Sequence, residues 1–101
     1  MSSRQFKFHD GEKGAAIAIR IRYTKKANGF SKILKDGTIE VLLQKTGNDP
    51  DAELLTFLSK ELNLPQERIH IIAGEGDQKK LVSILEAKPK NIQKKILNKI
   101  D

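Results

Sequence analysis

Residues 49–65, DPDAELLTFLSKELNLP, predict a helix whose beginning and end are both marked in the sequence. Asp49 is a good N-cap residue, and Pro50 suits the first helical position because proline has no N–H to leave unpaired. At the other end, Asn63 can adopt the left-handed capping conformation, and Pro65 prevents the helix from continuing. The leucines between the caps form one apolar stripe. Because such a stripe must be buried, the remaining elements are expected to cover it.

Four stretches around this helix predict β-strands. Apolar and polar residues alternate in residues 15–23 and 38–44 before the helix, and in residues 67–74 and 79–85 after it. A period of two is typical of a strand with one buried face. We expect the first two strands to pair as a long hairpin, with Phe30 in the connection tucked onto the core. The last two strands are expected to form a second hairpin, reached by a parallel crossover through the helix.

The predicted fold class is α+β. The elements follow in the order β-β-α-β-β-α, and the economical packing is a two-layer sandwich in which a mixed four-stranded sheet carries two helices on one face. Residues 89–100 predict the second helix, because Pro89 suits its first turn, isoleucines recur every four residues and lysines occupy much of the remaining circumference. Residues 14–101 are expected to form this single domain, and residues 1–13 a flexible leader.

A spacing pattern runs through the predicted helix, the strand after it and the beginning of the last strand. The helix has the spacing A-x-L-x-x-x-L, the strand ends in glycine, and a lysine precedes an apolar alternation. The positions that carry the pattern are Ala52, Leu54, Leu58, Leu62, Leu64, Pro65, Ile69, Ile71, Gly74, Lys80, Val82 and Ile84. The pattern resembles that of the YggU-like proteins, an uncharacterised family of about this length. The resemblance implies a two-layer α/β fold with a mixed four-stranded sheet, and it implies no activity.

The composition restricts the classes of function. The chain has 101 residues, no cysteine, and 19 Lys and Arg against 13 Asp and Glu, which gives a formal net charge of +6. Without cysteine there is no disulfide and no thiolate nucleophile, and we expect a cytoplasmic location. The apolar runs are too short to span a membrane, and the beginning of the chain lacks the apolar block of a signal peptide. The positive charge favours acidic partners such as nucleic acid.

The glycine-rich stretch Gly74-Glu75-Gly76 lies between two predicted strands, shortly before Lys79 and Lys80. A phosphate-binding loop would place successive backbone N–H groups around the anion, usually at the beginning of a helix. Here the glycine–lysine spacing differs from the Walker motif, a strand follows in place of a helix, and Glu75 would repel a phosphate. A hairpin tip in which the glycines supply a positive φ is the preferred interpretation, and an anion site is the alternative.

No set of residues predicts catalysis or a cofactor. The acids Asp49, Asp51 and Glu53 lack the spacing of a calcium loop and fit the beginning of a helix instead. His9 and His70 are isolated and form no zinc motif. No serine lies in a Gly-x-Ser-x-Gly turn. We therefore predict no catalytic residue, no metal and no cofactor, and we expect a protein that is not an enzyme.

The basic residues offer the clearest candidate site. No acid occurs from residue 20 to residue 35, and two arginines share one face of the first strand. The candidate residues for binding nucleic acid are Arg20, Arg22, Lys25, Lys26, Lys79 and Lys80. They would contact the phosphate backbone of RNA or another nucleic acid through salt-sensitive ionic contacts, with little choice of sequence.

Sequence choice in single strands needs exposed aromatic side chains for stacking, and the chain has four Phe, one Tyr and no Trp. Phe6, Phe8 and Phe30 are the only candidates for such a platform. A solvated basic face without a partner explains the same residues. A further alternative is a protein-interaction module, with no nucleic-acid role, that uses an edge strand or the exposed hairpin. Under either hypothesis we expect a monomer with no membrane partner. An enzyme acting on a small ligand is the least favoured hypothesis.

Overall fold

The α+β class is confirmed, with five strands and two α-helices in the described part of the chain. The computed structural model describes residues 14–44, 49–75 and 78–100, so the predicted leader, residues 1–13, lies outside the described residues. The elements are β1 (Gly14–Thr24), β2 (Gly29–Ile33), β3 (Ile39–Gln44), α1 (Pro50–Leu62), β4 (Ile69–Glu75), β5 (Lys79–Leu85) and α2 (Pro89–Leu97). A single turn of 3-10 helix, Gln66–Arg68, connects α1 to β4.

Helix α1 begins and ends where the sequence predicts. The Asp49 side chain accepts a hydrogen bond from the backbone N–H of Ala52 at 3.2 Å, which satisfies one of the free donors of the first turn. Asn63 follows the helix with φ 57°, a left-handed conformation that asparagine tolerates better than most residues. The next N–H, that of Leu64, then donates to Ser59 O at 3.0 Å and closes the helix.

The sheet has five strands in the order β2-β3-β1-β5-β4. The predicted sheet of four strands and the predicted element order are therefore wrong, because both lack one strand. The missed strand is β2, which pairs antiparallel with β3 at one edge of the sheet. Phe30 of β2 is buried in the core, as expected for this segment. A bulge interrupts the register between Phe30 and Lys32. Because the bulge breaks the period of two, residues 29–33 carry no clear strand pattern.

The predicted hairpin between β1 and β3 is also wrong, because these neighbouring strands run parallel. β3 forms its hairpin with β2, through a turn in which Gly37 has φ 91°, a conformation that favours glycine. The connection from β1 to β2 crosses the end of β3. There the backbone N–H of Gln44 donates to Asn28 Oδ1 at 2.7 Å, and its side-chain amide donates to Lys25 O at 3.4 Å. These bonds hold the crossing in place.

The second half of the chain follows the prediction more closely. β4 and β5 pair antiparallel, which confirms the second hairpin. β4 runs in the same direction as β3, as expected for a crossover through α1, because β1 is parallel to β3 and antiparallel to β5. The two strands are not neighbours, since β1 and β5 lie between them. Helix α2 ends at Leu97 instead of residue 100, although Ile100 still packs against the core.

Both helices lie on the same face of the sheet, as predicted. Side chains from all five strands meet α1 and α2 in one apolar cluster, in which Ile19, Leu58 and Ile96 are almost completely buried. Lys95 Nζ donates to Leu62 O at 2.9 Å, so the end of α1 is also bonded to α2. The core therefore occupies one side of the sheet and leaves the other side without a helix among the described residues.

Candidate functional site

The sheet face opposite both helices, here called the open face, carries most of the candidate residues. Side chains alternate between the two faces along β1. Ile17, Ile19 and Ile21 are buried on the helix-covered face, while the residues between them are half-buried or exposed. Those on the open face of β1 are Ala16, Ala18, Arg20 and Arg22. The side chains of β1 on the open face thus change from small to basic along the strand.

The pairing of β1 with β5 brings Arg20 and Lys79 together on the open face. They are direct cross-strand partners and both are exposed, although they are far apart in the sequence. Arg22 lies two residues further along β1, about 7 Å away, and its side chain is 67% exposed. Lys32, on the edge strand β2, pairs with Glu40 of β3. Because Glu40 also pairs with Arg20 of β1, Lys32 and Arg20 lie on the same face of the sheet. Lys32 was not among the six predicted site residues, and its place on this face depends on the pairing of β2 with β3.

Lys25 and Lys26 extend this basic group beyond the end of β1. Both are exposed, and the backbone N–H of Lys26 donates to Thr24 Oγ1 at 3.0 Å, which turns the chain away from the strand. The β4–β5 hairpin ends at the same end of the sheet, since Ile21 N–H donates to Gln78 O at 2.6 Å. Five of the six predicted residues are therefore gathered at one end of the sheet.

Lys80 is the predicted residue that does not join the group. It lies opposite Ile19, on the helix-covered face of the sheet. Its side chain is only 11% exposed, and its Nζ lies 2.9 Å from a carboxylate oxygen of Asp51 in the first turn of α1. Lys80 thus connects the sheet to α1 and is withdrawn from the open face. The sequence could not separate it from Lys79 without the register of β5.

Gly74 has a packing role in this structure and belongs to strand β4. A Cβ atom at this position would lie 2.9 Å from Lys79 O and 3.1 Å from Lys80 Cδ, so a side chain there would collide with β5. Its φ is not positive, unlike that of Gly37, so the prediction that it supplies a positive φ is wrong. Glu75 pairs with Lys79, so strands β4 and β5 are paired up to these two residues. Gly76, for which a hairpin tip was predicted, lies outside the described residues.

Glu40 is the one buried charged residue of the described chain, with 6% exposure. It lies on the open face between Arg20 and Lys32, and Arg22 Nη1 approaches its Oε1 at 3.9 Å. That oxygen has no hydrogen-bond partner. The Glu40 carboxylate is covered, whereas Arg20 and Arg22 are exposed, so solvent reaches the arginines more readily than this acid.

A groove of about 430 Å³ lies on the open face beside these cations. Its floor consists of the small or apolar side chains of Ala18, Ala73 and Leu81, and Arg20 and Lys79 stand at one end. The lining also includes Leu34, Asp36 and Thr38 from the β2–β3 hairpin. The arrangement places an apolar floor, the cations Arg20 and Lys79 and the acid Asp36 around one small site.

The described residues offer little other chemistry. A second cavity, of about 650 Å³, lies beside α1 and is lined mainly by polar side chains that include Glu53, Lys60 and Glu61. His70 is exposed, and no group of three potential ligands that could hold a metal occurs within residues 14–44, 49–75 and 78–100. In the same ranges, no helix has the length and apolar character needed to cross a membrane.

Comparison of the chain with protein-family models found no match, and a search of the curated proteins found none either. The resemblance to the YggU-like proteins therefore remains a prediction.

Proposed function

We propose that the protein is a non-enzymatic module that binds the phosphate backbone of nucleic acid, RNA in particular, through the open face. The proposal is supported by one observation above all. Arg20, Arg22, Lys32 and Lys79 are exposed together on the sheet face that bears no described helix. Lys25 and Lys26 extend the same basic group.

The spacing of these cations suits a polyanion. Cross-strand partners lie about 5 Å apart and residues two apart on a strand about 7 Å apart, so the group forms a two-dimensional array. Such an array can meet several phosphates at once, and each contact releases counterions. Arg20 and Arg22 can also contact a phosphate with two parallel hydrogen bonds, which a lysine cannot do.

Binding through these residues is expected to depend little on sequence. Phe30, one of the few aromatic residues available as a stacking platform, lies in the core with its ring centroid 5.1 Å from that of Phe57. Tyr23 is partly buried against the same core. Phe6 and Phe8 lie outside the described residues. Phosphate contacts fix position on the strand without reading bases, so weak and salt-dependent affinity follows.

The proposal is tested by titrating a mixed-sequence RNA oligomer at several salt concentrations. Replacing Arg20 and Arg22 by glutamine should lower the slope of log K against log salt by about 1.4, or about 0.7 for each lost contact with a single strand. Glutamine is preferable to glutamate because a new carboxylate at position 22 would lie beside Glu40. Absence of binding at low salt, or binding that ignores salt, would contradict the proposal.

A matched control replaces two exposed lysines of α2, Lys90 and Lys94, by glutamine. Both double variants lower the formal net charge from +6 to +4, because each removes two cations. If binding uses the open face, only the arginine variant should lower the slope of log K against log salt by about 1.4. Equal losses would show that net charge alone attracts the RNA.

A protein-interaction role is the second candidate. Strand β4 lies at an edge of the sheet, and Ile72 on it is 55% exposed. An extended peptide could add to such an edge through its backbone N–H and C=O groups. Recovery of one defined partner after nuclease treatment, with loss of that partner on Ile72→Lys substitution, would favour this role.

A further inference from the structure

We infer that the groove on the open face holds an unpaired base of a single-stranded nucleic acid, with the attached phosphate at Arg20 and Lys79. The inference rests on the proposed function and adds a preference for single strands over duplexes. A nucleotide combines a flat base with an anionic phosphate. The groove supplies both parts, because its floor of Ala18, Ala73 and Leu81 is small and apolar and the cross-strand pair of Arg20 and Lys79 stands two residues further along β1 and β5. Asp36 also lines the groove, from the β2–β3 hairpin.

A β-bulge in strand β4 creates the floor of this groove. Ile71 lies opposite Val82, but the next paired residue, opposite Leu81, is Ala73. Without the bulge, Ile72 would face Leu81 and its bulky side chain would occupy the groove. The extra residue moves Ile72 out to the sheet edge and places a single methyl group beside Leu81. Bulges near binding sites often redirect a side chain in this way.

The neighbouring strand β1 contributes a second small residue at the same level. Ala18 is the cross-strand partner of Leu81, so two alanines flank one leucine across three strands. The resulting volume, about 430 Å³, lies within the range of about 300 to 1,000 Å³ for small-ligand sites. Apolar surface of this kind accepts the face of any base, and the guanidinium plane of Arg20 can stack on the face of a base or bind the phosphate.

The bases of a duplex are paired and stacked, so they cannot reach the floor of this groove. Only a strand with an unpaired base can use the alanine floor and the two cations together. A duplex carries the higher charge density and would bind at least as tightly if ionic contacts alone mattered. A preference for the single strand over the duplex would therefore show that the groove, and not ionic contacts alone, contributes to binding.

The experiment compares a 12-nucleotide uridine oligomer with the duplex formed from it and its adenosine complement, at equal salt. The full-length protein should bind the single strand about tenfold more tightly than the duplex. Ala18→Leu fills the groove without changing any charge, and it should reduce this ratio to about one. Ala16→Leu is the matched control, because Ala16 lies on the same strand and face but outside the groove, and it should leave the ratio unchanged.

Two further measurements keep the test decisive if Ala18→Leu disturbs folding. Ala73→Leu fills the groove from β4 and should have the same effect. On the unmodified protein, uridine monophosphate should displace the oligomer at about tenfold lower concentration than inorganic phosphate. Equal binding of single strand and duplex, or equal effects of the Ala16 and Ala18 variants, would overturn the inference while leaving the proposed function intact. Absence of any binding at low salt would overturn both.

Other occupants of the groove would give distinct results. A dimer in sedimentation experiments that Ala18→Leu dissociates would assign the groove to a second copy of the chain. Nuclear Overhauser contacts between the Ala18 methyl group and residues 1–13 in the free protein would assign it to the chain itself. Either result would overturn the inference.

Discussion

The two faces of the sheet differ in how completely they are covered, and this difference determines what each can do. On the helix-covered face, Ile19, Val41 and Val82 are at most 1% exposed and belong to one apolar core. On the open face, Arg20 and Lys79 are exposed, and Ala18 and Leu81 beside them are only half-buried. The helix-covered face holds the fold together, and the open face is the one through which we propose binding.

Lys79 and Lys80 show the same difference within one dipeptide. Lys79 is exposed opposite Arg20, whereas Lys80 is turned toward α1 and contacts Asp51 at 2.9 Å. The two lysines are chemically identical, so only the face they occupy separates a proposed ligand contact from a structural ion pair. Charge counted along the sequence therefore overestimates the charge that a partner can reach.

The largest effect expected from this comparison is on stability. Ile19→Ala should lower the free energy of unfolding by about 2 to 5 kcal/mol, because it leaves a cavity in a well-packed core. Leu42→Ala, on the half-buried open face of β3, should cost roughly 1 kcal/mol or less. Urea denaturation of both variants measures the two values. Equal losses would show that the open face is packed as tightly as the other.

Breaking the ion pair on the helix-covered face should have a smaller effect. Asp51→Asn should lower the free energy of unfolding by about 1 kcal/mol, because it leaves the mostly buried Lys80 ammonium without this partner and removes an acid from the first turn of α1. The Asp51 side chain is 48% exposed, so solvent screening keeps the value small. Lys79→Gln is the control and should change stability by less than about 0.5 kcal/mol. A larger loss for Lys79→Gln would contradict the assignment of the two lysines.

The smallest expected effect concerns RNA binding by the same two lysines. Lys79→Gln should weaken binding and lower the slope of log K against log salt by about 0.7. Lys80→Gln should leave that slope unchanged, because its ammonium already contacts Asp51 and lies on the other face. Fluorescence anisotropy with a labelled oligomer measures both slopes. Equal slopes for the two variants would contradict the proposal that RNA binds to the open face and not to the helix-covered face.

Local signals in the sequence were sufficient for α1 and for the second hairpin. Asp49, Pro50, Asn63 and Pro65 act through bonds and backbone angles within a few residues of themselves, so the bounds of α1 could be predicted. The first half of the sheet could not be predicted in the same way. The β2 bulge hides the alternation of residues 29–33, and the parallel pairing of β1 with β3 depends on contacts between distant residues.

The candidate site was predicted only in part for the same reason. Arg20 and Arg22 share a face because residues two apart on a strand always do. Their association with Lys79 depends on the register of β1 against β5, and the addition of Lys32 depends on β2. The groove depends on the bulge that places Ala73 opposite Leu81. A shift of one residue in a strand moves every side chain to the other face, so such groupings are not visible in the sequence pattern.

The sequence by itself determined the α+β class, the caps of α1, the paired β4 and β5 strands and the excess of positive charge, because each depends on composition or on neighbouring residues. Only the tertiary structure decided that the sheet has five strands, that Lys80 belongs to the core side and that Arg20, Arg22, Lys32 and Lys79 share one face. These outcomes are set by strand order and register, which follow from burying one apolar face beneath two helices.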